Sequence, residues 1–202
     1  MISNNQRNIL KKITSVKNIK YSYLFLISFV MILTRGSHIT TLYALPDASL
    51  ALFLIGGIYL RQVRFFIALF LVGLFIDFGT AALDPKLGFC LTKGYWGLIP
   101  TYAALWLCGF NLNQKEHLQK LSVFIPFVSV AIFVAFLIST QTYYLFSGRF
   151  GSPSFLESIS HGWEYLPQYF LSSFIYIGLF WLTQNIIIKN KIFSNFKKFK
   201  SL

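Results

Sequence analysis

Apolar residues fall into six blocks, and the polar stretches between them hold most of the charge. The blocks predict helices at about 21–36, 46–60, 65–83, 95–111, 121–146 and 164–188. Pro46 suits a first helical position, and Asp47 suits the positive end of that helix's dipole. A hydrocarbon core needs about 20 apolar residues, so the second block, with about 15, falls short, as does the fourth. The backbone that completes their depth must be irregular, and such backbone is tolerated only where protein buries it or where it lines a cavity. Both irregular stretches lie on one side. They are the loop 37–45, which contains His38, and the loop 84–94, which contains Pro85, Gly88, Cys90 and Gly94. Together they suggest a hollow opening on that side.

Composition turns these blocks into membrane spans. Hydrophobic residues make up 55% of the chain and charged ones 12%, with a mean hydropathy of +0.61. An ordinary soluble domain is about 25% charged. Lipid can accept the surplus apolar surface that a soluble fold of 202 residues could not hide. The expected fold is therefore an all-α integral membrane protein, a bundle of six transmembrane helices. A basic segment, 1–20, precedes the bundle at 21–188, and a basic tail, 189–202, follows it. The basic start is expected to lead into a retained helix, since no small-residue cleavage site follows the first apolar block.

The net charge of +12 could suggest nucleic acid, but its distribution fits a topology instead. With the N-terminus inside, the inner segments hold 14 of the 18 basic residues, and only Arg35, Lys86, Lys93 and Arg149 lie outside. That bias predicts both termini in the cytoplasm. The Lys189–Lys200 tail mixes lysine with Ile192, Phe193, Phe196 and Phe199, a composition that suits acidic lipids or a plain topology anchor.

Few residues offer chemistry. Asp77 interrupts the apolar run 74–78, where a carboxylate is expensive and faces the bundle interior. It is either a ligand or proton site or a hydrogen bond between helices. Cys90 precedes the fourth helix and is flanked by Lys86 and Lys93, a setting that favours the thiolate, a soft metal ligand and a nucleophile. Its plain alternative is a small buried hydrophobe, and for Cys108, which has no polar neighbours in sequence, that alternative is the stronger. Both cysteines are expected to be free. His38 offers an imidazole in the other loop. Tyr95 and Trp96 fit an interfacial aromatic belt, as do Trp163 and Tyr165. There is no G-x-x-x-x-G-K-[ST], H-E-x-x-H, C-x-x-C or G-x-S-x-G motif, and no row of intramembrane carboxylates or histidines suggests a proton pump.

The stretch from Leu45 to Ala51, followed by 56–61, resembles the second helix of the BtuM family. The likeness continues through Ile76-Asp77, 89–92, Tyr95, 100–102 and 104–106. Its specificity lies in the order and spacing of these pieces, and it covers roughly residues 33–109. That family comprises solitary cobalamin-binding S-components related to the energy-coupling-factor (ECF) vitamin transporters. The resemblance implies a multi-pass protein of the bacterial cell inner membrane that takes up cobalamin (vitamin B12) and is not an enzyme. It also implies that Cys90 is an axial ligand of the cobalt in cobalamin, and that His38, Asp77 and Tyr95 line the pocket. A thiolate on cobalt would displace an axial ligand and could labilise an upper cyano group. Expected partners are cobalamin and membrane lipids, with no nucleic acid. Whether a partner ATPase module takes part is left open. One departure is that Tyr21–Thr34 contains no alanine, whereas ordinary S-components dock their partner through an alanine-x-x-x-alanine face there. The rival from another class is a membrane thiol enzyme, an acyltransferase or peptidase, with Cys90 as nucleophile and His38 as its base.

Overall fold

The computed structural model describes residues 4–35, 45–112, 121–151 and 153–200. Among these residues every regular element is helical. We number the α-helices in chain order: α1 (Asn4–Arg35), α2 (Ser49–Tyr59), α3 (Val63–Leu83), α4 (Leu98–Leu112), α5 (Leu121–Phe146), α6 (Phe155–Ser160) and α7 (Leu166–Lys200). Tight 3-10 turns at Pro85–Cys90 and Lys93–Gly97 connect α3 to α4, and a third at Trp163–Tyr165 leads into α7. All six predicted helices are present. Two of them, α3 with 21 residues and α5 with 26, are long and apolar enough to cross a membrane.

The centre of the fold is α2. It is apolar around its whole circumference, so it must be enclosed on every side, and nine of its residues, Ser49 and 51–58, are buried. It packs most extensively on α4, where the helix backbones touch. A Cβ at Gly57 would collide with the Trp106 carbonyl, and one at Gly109 with the Leu54 carbonyl. Small residues that let backbones meet are the usual solution where dispersion and hydrogen bonding, rather than water, drive helix association.

The outer helices have the opposite character. Only Phe65, Leu69 and Gly73, spaced four apart, are buried on α3. Other apolar positions of that helix are exposed, as at Ile67, Leu71 and Phe75. Phe25 and Phe29 on α1, Val130 on α5, and Leu171 and Leu179 on α7 continue the exposed apolar surface.

Three expected boundaries shift. The second helix begins at Ser49 rather than Pro46. Asp47 instead accepts hydrogen bonds from the Ser49 backbone N–H (2.9 Å) and hydroxyl (2.6 Å), while the Pro46 carbonyl accepts one from the Tyr176 hydroxyl (2.7 Å). The fourth helix begins at Leu98, because 93–97 winds as a 3-10 turn. The 147–163 stretch contains α6, closed by a capping box in which Ser154 and Glu157 bond reciprocally. Helices α1 and α7 also run on through the basic ends of the chain.

Two distinct ends result. At one, Lys20 donates to the Leu60 carbonyl that ends α2 (3.3 Å), and the Arg61 guanidinium lies 4.1 Å from the centre of the Phe110 ring. At the other lie the C-terminus of α1, the start of α2, and the 3-10 turns that precede α4.

Candidate functional site

At that second end a polar cluster occupies the otherwise apolar bundle. Arg35, the last residue of α1, faces Asp77 in the second turn from the end of α3. Its Nε donates to Asp77 Oδ1 (2.6 Å) and its Nη2 to Asp77 Oδ2 (2.5 Å), a bidentate pair. The Arg35 side chain is 11% exposed and that of Asp77 20%. Gly73, one turn before Asp77, lies beside the guanidinium: a Cβ there would be 3.9 Å from Arg35 Nε, an ordinary contact.

Two more donors of Arg35 are also engaged. Its Nη1 bonds the Ser49 hydroxyl (2.8 Å) and the Tyr102 hydroxyl (2.6 Å), so α2 and α4 join the cluster. Ser49 passes its own proton on to Asp47, whose Oδ2 lies 3.6 Å from Arg35 Nη1. Tyr102 is held by stacking on Phe53, with centroids 4.1 Å apart and planes within 4°. Tyr95 completes the set, donating to Asp77 Oδ2 (2.8 Å) from the Lys93–Gly97 turn. A carboxylate offers about four lone-pair sites, and three of those on Asp77 are filled.

The segment bearing Cys90 joins α3 to the turn that carries Tyr95. Pro85–Cys90 opens with the Asp84 carboxylate accepting from the Lys86 backbone N–H. A Cβ at Gly88 would lie 2.9 Å from that of Ala81, so the turn sits directly on α3. Gly94 and Gly97 bring the next turn onto α5: a Cβ at Gly94 would be 2.9 Å from the Thr142 carbonyl, and one at Gly97 would collide with the Thr142 side chain. Gly94, Tyr95 and Gly97 are buried. The Lys93–Gly97 turn is therefore packed closely on α5, while Asp84, Pro85 and Lys86 at the start of the loop are exposed.

Of the four residues singled out from sequence, Asp77 and Tyr95 share a hydrogen bond, and Cys90 ends the turn five residues before Tyr95. His38 lies outside the described residues. Asp77 pairs with Arg35 across α1 and α3. Arg35, Ser49 and Tyr102 belong to the cluster although sequence reasoning does not single them out. For Arg35 the usable signal is electrostatic: an acid buried in an apolar run needs a cation, and Arg35 is the basic residue that ends an apolar helix. Cys108 is a free thiol packed against the hydrophobic core. Among the described residues no three His, Cys, Asp or Glu side chains are grouped to hold a metal ion. No protein-family model and no curated protein matches this chain.

Proposed function

We propose that the chain is a six-span protein of the bacterial inner membrane, with both termini in the cytoplasm, that binds and takes up cobalamin. The observation that carries this reading is the Arg35–Asp77–Tyr95–Tyr102 cluster, set at one end of an apolar bundle beside the turn that ends in Cys90. Supporting the six spans are the two long apolar helices, the exposed apolar faces of α1 and α7, and the enclosure of α2. The charge bias favours an outward-facing cluster.

The ligand class follows from what this end of the chain supplies. Corrinoid cobalt brings four equatorial nitrogens of its own, so it needs one soft axial donor from the protein rather than a cluster of ligands. In this reading Cys90 supplies that thiolate, and Tyr95 and His38 meet the amide rim of the corrin. Asp77 contributes by holding Tyr95. A thiolate that took the place of the nucleotide base would hold the corrinoid in a base-off state.

Growth supplies the test. A cobalamin-requiring bacterial strain without its own uptake system should grow on limiting vitamin when it expresses this chain, and should lose that growth with Cys90→Ala. No rescue by the wild type, together with a covalent acyl adduct on Cys90, would point to the thiol enzyme instead.

A further inference from the structure

We propose that Arg35 is a positioning residue for the Cys90 segment, acting through Asp77 and Tyr95. The proposal rests on the cobalamin reading for what Cys90 does; the mechanical link stands on the geometry. Arg35 has five N–H donors in a fixed plane. Two grip both oxygens of Asp77, and two more bond Ser49 and Tyr102. A carboxylate held in that fork cannot rotate about its own axis, so Oδ2 has one direction in which to accept the Tyr95 hydroxyl.

Tyr95 matters because of where it ties the backbone that follows Cys90. Gly88 rests on α3 and Gly94 on α5. Between them, Leu91 N–H donates to the Gly88 carbonyl (2.9 Å) and Tyr95 N–H to the Thr92 carbonyl (3.0 Å). The buried Thr92 hydroxyl has no hydrogen-bond partner. Within residues 91–95, Tyr95 is thus the side chain whose hydrogen bond reaches a transmembrane-length helix. The ring is braced edge-on by Phe78 of the same helix, with centroids 6.3 Å apart. Arg35 therefore sets the register of the turn on α3 before any ligand arrives, which is how a binding group is preorganised by residues that never touch the ligand.

Amide hydrogen exchange across 88–97, measured on the full chain in lipid nanodiscs, tests the link without any ligand. Tyr95→Phe removes one hydroxyl and leaves the ion pair intact. It and Arg35→Gln should each speed exchange at Leu91 and Tyr95 about tenfold, the scale of one charge-assisted hydrogen bond. The double variant should be no faster than the faster single one, since both cut the same chain of contacts. Arg35→Lys, with charge but no fork, should fall between. Unchanged exchange in Tyr95→Phe, or additive effects in the double variant, overturns the proposal. In a parallel cobalamin titration, Tyr95→Phe and Arg35→Gln should weaken affinity about tenfold while keeping the wild-type spectrum at saturation. A wild type that binds no cobalamin overturns the transport reading, while the exchange result still decides the role of Arg35.

Discussion

Asp77 and Arg35 neutralise one another inside an apolar bundle, and each is costly alone. Removing one member of a buried pair leaves an uncompensated charge, worth about 3–5 kcal/mol. Asp77→Ala and Arg35→Ala should therefore each lower the thermal midpoint strongly. Arg35→Met combined with Asp77→Leu should be less damaging than either single change, because apolar groups of similar volume then fill the space. A double variant less stable than both singles would contradict this pairing. Asp77 is legible in sequence because a carboxylate in Phe75–Phe78 has no bland explanation except a partner. Arg35 is not, because at the end of an apolar block it reads as one more loop charge. Pairing across 42 residues is a tertiary fact that no local pattern encodes.

The six predicted helices follow directly from the apolar blocks, while helix ends depend on side-chain bonds that hydropathy does not register. The late start of α2 reflects the hold of Asp47 on Ser49, and the 3-10 turn before α4 reflects burial of Gly94 and Gly97 against α5. The α6 helix did leave a signature, Ser-x-x-Glu at 154–157, hidden by the glycines around it. Glycine substitutions separate packing from propensity. Gly57→Ala and Gly109→Ala force α2 and α4 apart and should cost at least the 1–3 kcal/mol typical of overpacking. Gly79→Ala and Gly178→Ala meet nothing within 4 Å and should be neutral or stabilising by about 0.5–1 kcal/mol. Unfolding in one detergent ranks all four. The α6 cap carries a pH prediction. The Ser154 backbone N–H, then its side chain, hold the Glu157 carboxyl below its ordinary range. A depressed acid stabilises the fold above its unfolded pKa and loses that contribution as pH falls through the lowered folded value. The protection factor of the Ser154 amide should therefore be full at neutral pH and drop in acid, whereas in Glu157→Gln it should stay flat.

At the scale of the whole molecule the two ends differ in kind. One carries Lys20, Arg61 and Arg64, and the other the cluster beside Cys90. With the native cysteines replaced, Ser160→Cys should react with an impermeant maleimide on intact cells, and Gln62→Cys only after permeabilisation. The reverse pattern would invert the topology and place the cluster on the cytoplasmic side. The most direct measurement is the absorption spectrum of cobalamin titrated into the purified chain. The account predicts saturable binding with a spectral change indicating a sulfur ligand on cobalt in a base-off corrinoid, and loss of that change in Cys90→Ala. A spectrum identical in Cys90→Ala and wild type, or equal to that of free cobalamin at every protein concentration, would contradict it.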